Sequence, residues 1–240
     1  IMTAGSEEPN AIVQVNDKTN RTEPNVRATE LEIYEGLEVS SQNCWPSVNF
    51  DIGGINNVIS AFLPAGFYYK TFMWPASFWE KYEFFIRHSA GLGKSPTDKD
   101  PDIYDHRYVH CDVLVVGAGI SGILAAKNAA KNNLKTLLVD EKNELGGATI
   151  YQNREFNKIE NQSSSDWLKK EIQELKDIEN LEVKTRTSVA AYHAYNYLLA
   201  RENLTDHLEK KDKQGKIRQR LLKIRACLLY TSDAADESSS

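Results

Sequence analysis

Five residues have the types and spacing of a nucleotide site. They are the glycines of Gly117-Ala118-Gly119-Ile120-Ser121-Gly122 and the acids Asp140 and Glu141, about 20 residues further on. Each glycine has its own task. Gly117 permits a tight turn out of a strand, Gly119 lets the backbone approach a pyrophosphate with no Cβ in the way, and Gly122 lets the following helix pack close to the strand. The diphosphate would rest on the helix N-terminus, where free N–H groups and the helix dipole favour negative charge. A carboxylate after the second strand can accept both ribose hydroxyls and disfavours a 2′-phosphate, so NAD or FAD is expected rather than NADP. Asp140 stands six positions before Gly146 of the pair Gly146-Gly147, the spacing of the ribose acid in this motif, with Glu141 as its helper.

These residues need a strand–helix–strand unit to hold them, and the sequence supplies one. Val113 to Val116 is a short apolar run suited to a buried parallel strand, Ile123 to Lys131 is helical, and Lys135 to Val139 forms the second strand. Lys142, Asn143 and Glu144 read as a solvated turn. Ser163-Ser164-Ser165-Asp166 carries N-cap chemistry for a helix with Leu168, Ile172 and Leu175 on its apolar face and Glu171 and Glu174 towards water. Leu181 to Arg186 is the expected third parallel strand and Ser188 to Tyr197 a further strand. Lys210 to Arg225, rich in lysine and arginine around Gly215, reads as a charged, solvated β-hairpin rather than a nucleic-acid patch, because aromatic residues are not interleaved with the charges.

Around this unit the chain is less specific. With 240 residues, 41% of them hydrophobic, it can form one large or two small cores, and a net charge of −5 gives no reason to expect nucleic acid or an anionic membrane as partner. No apolar run is long enough to span a membrane, and no leader pattern opens the sequence, so a soluble cytoplasmic protein is expected. Cys44, Cys111 and Cys227 are too few and scattered for a disulfide framework, a metal site or an iron–sulfur cluster. No residue is assigned as a catalytic acid, base or nucleophile, and none as a metal ligand. Short strands are expected at Ile12 to Val15, Asn25 to Thr29 and Leu31 to Tyr34. Trp45 to Gly93 is dense in aromatic residues, with Phe78, Tyr82 and Phe85 on one face of a helix from about Ser77 to Ser89. Such rings are expected to pack against neighbouring domains or subunits. Lys94 to Asp105 reads as an exposed loop.

At AGFYYKTFMWP (Ala65 to Pro75), FWEKYEFFIR (Phe78 to Arg87), AGLG (Ala90 to Gly93), DPDIYDHRYVHCDVLVVGAG (Asp100 to Gly119) and VDEKNELGG (Val139 to Gly147) the chain resembles the α subunits of heterotetrameric sarcosine oxidases and related methylglutamate and opine oxidoreductases. The resemblance extends to SEEPNAIV near the start and RQRLLKIRA near the end. It implies an α/β architecture: a Rossmann-like dinucleotide-binding domain, incomplete here, preceded by the tail of a ferredoxin-like β-grasp domain and an aromatic-rich connector. The corresponding bounds are 1–38, 39–108 and 109–226, with 227–240 set apart as a tail foreign to the fold that leaves the parallel sheet without its closing strand.

The resemblance further implies NAD as the cofactor held by Gly117, Ala118, Gly119, Ile120, Ser121, Gly122, Asp140, Glu141 and Gly147, with FAD as the alternative. In the complete assembly it implies FAD, FMN and tetrahydrofolate, partner β, γ and δ subunits, and oxidative demethylation of a secondary amine such as sarcosine. A non-catalytic dinucleotide-binding assembly module is the reading from a different class.

Overall fold

The computed structural model describes residues 12–16, 22–42, 44, 46–47, 49–51, 75–89, 91–93, 96, 99–150, 158–159, 161–208, 212 and 215–231. They fall into two units, one reaching to Pro101 and the other beginning at Asp102. Most of the aromatic stretch before Pro75, the arm from Lys210 to Gln214 apart from Asp212, and the residues after Thr231 lie outside the described residues.

In the first unit, β1 (Ile12–Asn16) lies between β2 (Thr22–Arg27) and β3 (Glu38–Ser41), antiparallel to both. The small sheet thus runs past residue 38 to Ser41, and Leu31 to Tyr34, expected as a strand, is irregular. Helix α1 (Trp79–Ser89) follows a 3₁₀ turn, and Gly91 at φ +70° closes it, with the Leu92 N–H donating to Arg87 O at 3.0 Å. The Phe78 and Tyr82 rings sit 6.1 Å apart as the helical spacing requires. Phe78, Trp79 and Phe84 remain about half exposed, and the Phe85 side chain lies outside the described residues. Gly91-Leu92-Gly93 is pinned to the small sheet. Asn25 Oδ1 accepts from Gly93 N–H at 2.9 Å, and Gln42 Nε2 donates to Gly91 O at 3.2 Å.

The second unit is a six-stranded mixed sheet. Its strands are β4 (Ile103–Val116), β5 (Thr136–Val139), β6 (Leu181–Lys184), β7 (Thr187–His193), β8 (Tyr197–Asn203) and β9 (Ile217–Thr231), in the order β6-β5-β4-β9-β8-β7. β6, β5, β4 and β9 are parallel neighbours, and β9, β8 and β7 form an antiparallel meander. Helices α2 (Ile120–Lys131) and α3 (Ser164–Lys176) cover one face, burying Val113, Val115, Ile123, Ala126, Leu138, Trp167 and Leu175. No helix among the described residues covers the other face. On that face the meander strands share one core with the parallel ones: Leu198, Ala200, Leu222 and Ile224 cluster with Leu114, Leu137 and Val139. Thr187 N–H donates to Asp140 O at 2.7 Å, which ties the start of the meander to the end of β5.

Three expectations are corrected. First, β9 continues through Cys227 to Thr231, pairing Leu228 to Thr231 with Val113 to Val116, so these residues supply a strand beside the glycine turn instead of standing outside the fold. Leu229 packs half-buried against the core that holds Leu222 and Ile224, while Cys227, Leu228, Tyr230 and Thr231 stay exposed. Second, Ser188 to Tyr197 is two strands, with Tyr195 and Asn196 at φ +61° and +50° in the turn between them. The partner of the basic strand is therefore β8. Arg220 is not solvated: it pairs with Asp105 at 2.8 Å and Glu202 at 3.2 Å, and Lys184 joins the same Glu202 at 3.0 Å. Strand alternation turns Arg220, like Leu222 and Ile224, inward, and only the matching acids make that placement tolerable.

Third, Glu171 does not face water. It is 8% exposed and grips Lys127 of α2, which also binds Glu174 at 2.6 Å. Lys127→Ala should destabilise the chain by about 3 kcal/mol, because it strands a buried carboxylate; Lys127→Met with Glu171→Leu should recover most of that loss. Chemical denaturation of the three chains checks both statements. Burial alone would lower the Lys127 pKa, but its hydrogen bonds to Glu171 and Glu174 prevail and raise it. Hydrogen bonds to Lys127 and to Arg220 hold the Glu174 and Asp105 carboxyls below their ordinary values of 4.5 and 3.8. A depressed carboxyl stabilises the fold above its unfolded pKa and ceases to as pH falls through the folded one. The denaturation midpoint should therefore hold steady at neutral pH and drop once pH falls below about 4.5, with a shallower drop in the Lys127→Ala chain.

Candidate dinucleotide site

The strand, turn and helix around Gly117 to Gly122 form as their residues require. Gly117 adopts φ +96°, outside the range of ordinary L-residues, and its N–H donates to Val139 O at 2.8 Å, joining the turn to the end of β5. A Cβ on Gly122 would lie 1.9 Å from the Gly117 carbonyl oxygen, so the helix can start against the turn only if this residue has no side chain. Gly119 is the N-cap of α2, and a Cβ there would meet nothing within 4 Å. The helix also begins three residues earlier than periodicity suggests, at Ile120, because glycine spacing and not apolar repetition sets its start.

This N-terminus suits an anion. Gly119 offers no side chain to cap the helix, the first turn carries no acidic residue, and the first intrahelical bond is Ile123 N–H to Gly119 O at 2.9 Å. The N–H groups of Ile120, Ser121 and Gly122 precede that bond. Open space above Gly119 lies where a pyrophosphate would approach them. Ser121 is exposed at the same end, Ile120 is half-buried against the helical-face core, and Ala118 is fully buried beneath the turn.

The acids divide their roles. Asp140 is 9% exposed; its Oδ2 accepts the Ala118 N–H at 2.5 Å and its Oδ1 the Lys142 N–H at 2.8 Å. This carboxylate already holds the glycine turn in shape, and its remaining lone pairs are what a ribose could use. Glu141 is half-buried, with Oε1 3.4 Å from Lys142 Nζ. The turn read as merely solvated thus contributes the Lys142 backbone to the site, while its side chains do face water.

Gly146 went unassigned on sequence although it contacts the turn directly. Its N–H donates to Ala118 O at 2.7 Å and its φ is +128°. Gly147, at φ +53°, packs against Gly119, since a Cβ on it would fall 3.1 Å from the Gly119 Cα. The repeated Gly-Gly was the available signal: a second glycine pair after the acid makes sense when two loops must touch backbone to backbone. All nine expected residues therefore gather at one end of β4 and β5. Cys111, further down β4, is buried and its thiol is pushed up to about 11 by that burial, which makes it a packing residue and not a nucleophile.

Comparison with known proteins fits this geometry. Residues 112–221 match the family described as FAD dependent oxidoreductase, and residues 1–44 match the family described as 2Fe-2S iron-sulfur cluster binding domain. The latter stretch holds one cysteine, Cys44, whose Sγ lies 3.2 Å from Ser41 Oγ; a cluster takes four protein ligands, so these residues do not fit one. The chain is 45% identical over 211 residues to sarcosine oxidase subunit α of Rhizobium meliloti (strain 1021), covering 88% of this chain and 21% of that protein. It is 36% identical over 148 residues to the corresponding subunit of Corynebacterium sp. (strain U-96), covering 62% and 15%. The chain thus spans about a fifth or less of the length of these relatives. Over 88% of its length the chain is thus similar to a sarcosine oxidase α subunit, and the α/β domain built on the glycine turn is similar in residues 112–221 to FAD dependent oxidoreductases.

Proposed function

We propose that this chain binds FAD as the dinucleotide-binding part of an α subunit in a sarcosine-oxidase-type oxidoreductase. The observation that carries the reading is the conjunction of an uncapped helix N-terminus above Gly119 with a match of residues 112–221 to FAD-dependent oxidoreductases. FAD, the alternative weighed on sequence, is favoured over NAD by that match. The N–H groups of Ile120, Ser121 and Gly122 hold the pyrophosphate, Gly117 and Gly147 shape the cradle around Gly119, and Asp140 and Glu141 receive the adenosine ribose. When bound, the flavin supplies an acceptor for hydride taken from an amine carbon. The chain's own residues bind and orient it.

Oxidative demethylation of sarcosine, transfer of the one-carbon unit to tetrahydrofolate, an FMN at a subunit interface, and partner β, γ and δ subunits are the finer parts of the proposal. They rest on the 45% identity with a sarcosine oxidase subunit α and belong to an assembly. No helix among the described residues is long and apolar enough to cross a membrane. Titrating the purified chain with FAD and with NAD tests the cofactor. Saturable binding of FAD, tighter than NAD, is expected; tighter binding of NAD would reverse the assignment. Sarcosine-dependent flavin reduction in the assembled complex tests the substrate, and its absence with flavin bound would withdraw that part alone.

A further inference from the structure

The face of the meander turned away from Leu222 and Ile224 carries cations without acids. Strand pairing sets two rows side by side across β7, β8, β9 and β4: His193, Tyr197, Arg225 and His110 in one, and Ala191, Leu199, Lys223 and Tyr108 in the next. The basic arm of β9 has no interleaved rings of its own in sequence; pairing brings them from β8 and β4. The Arg225 guanidinium carbon sits 5.1 Å from the centre of the Tyr197 ring, and Lys223 Nζ sits 5.0 Å from that of Tyr108. His193 extends the first row, its ring 5.8 Å from Tyr197. Neither row contains a carboxylate. Asp105 of β4 and Glu202 of β8 lie on the opposite face, where Arg220 engages both. Among the described residues the polar contacts of the two cations are therefore neutral: Arg225 Nη1 donates to Tyr195 O at 3.0 Å, and Lys223 Nζ lies 3.4 Å from the Tyr108 hydroxyl.

The net charge of the chain is −5, so two adjacent cations with no counter-charge on their face stand out from the rest of it. We propose that these rows dock an acidic segment of another subunit, with one carboxylate on Lys223 and one on Arg225. The proposal rests on the reading of this chain as part of an assembly. Alternation places the two Cα atoms about 7 Å apart on one face, so acids two apart on a strand or four apart on a helix reach both. Each cation is already held against a ring, which reduces the ordering cost when the partner arrives. The rows are open to it: Tyr108 is 71% accessible, and Arg225, His110 and His193 are exposed. Tyrosine and arginine are also the types that carry much of the energy at protein interfaces. A single-stranded nucleic acid offers negative charge too, but it stacks bases on rings, and the Tyr108 and Tyr197 rings already carry cations.

Carbodiimide coupling of the assembled complex, read by mass spectrometry, tests the docking, because it joins an amine to a carboxylate in direct contact. Lys223 is expected to be linked to an aspartate or glutamate of another subunit. Lys223→Glu combined with Arg225→Glu is expected to weaken assembly at least tenfold at low salt and to flatten its salt dependence. The FAD affinity and melting temperature of the double variant alone should stay unchanged. A complex in which Lys223 remains open to acetylation overturns the docking face and leaves the assembly standing, as does coupling of Lys223 to a carboxylate of its own chain. Failure to form any complex overturns the assembly and the docking face together, while FAD titration of the chain still judges the cofactor separately. Tighter binding of an oligothymidylate than of a glutamate–alanine repeat peptide of equal length overturns the proposal too, by giving the face to nucleic acid.

Discussion

Gly122→Ala should markedly destabilise the domain built on the glycine turn. A methyl group there would lie 1.9 Å from the Gly117 carbonyl oxygen, which is backbone and cannot swing aside as a side chain could. Gly117 is fixed in turn by φ +96° and by its bond to Val139 O, so relief requires moving α2 away from β4. That movement opens the contacts of Ile123 and Ala126 with Val113 and Val115, all of them buried. Overpacking of this kind costs about 3 kcal/mol, which lowers the melting temperature by roughly 10 °C in a unit of this size. Calorimetry with and without nucleotide checks it; an unchanged melting temperature would mean that the helix stands further from the turn than described.

Gly119→Ala should have the reverse profile. Its Cβ would meet nothing within 4 Å, and at φ −68° the backbone accepts any residue, so the melting temperature should stay within about 1 °C or rise slightly through lower unfolded-state entropy. The same open space is where the pyrophosphate must lie against the helix N-terminus. FAD binding should therefore weaken by about 100-fold, equivalent to about 2.7 kcal/mol. Isothermal titration together with a thermal melt separates the two effects. Loss of stability with intact binding would remove the pyrophosphate from this position. The contrast between two glycines three residues apart is diagnostic, because one is small to admit the protein's own carbonyl and the other to admit a ligand.

Much of the site was legible in the chain. Glycine spacing, the apolar run before it and the acids after it are local features, and local backbone geometry follows from neighbouring residues: only glycine takes φ +96° at low cost, and Ser163 caps α3 three residues ahead of Asp166. Single residues misled where their fate depended on distant partners. Glu171 and Arg220 look like surface charges until Lys127 and Glu202 are brought beside them. Ile103 to Asp105 looks like the end of a loop because its place in a strand comes from pairing with Ile217 to Arg220 of β9, remote in sequence.

By itself, then, the sequence determined that a strand, a glycine turn and a helix follow one another here and that their junction suits a diphosphate, since hydrophobic period and glycine placement act over a few residues. The tertiary structure alone decided that Asp140 braces the turn through Ala118, 22 positions away, that Gly146 closes on it from a second loop, and that the meander strands share the core of the sheet's other face with β4 and β5. These depend on hydrogen bonds and buried surface between segments remote in sequence, which form only when the whole sheet has chosen its strand order.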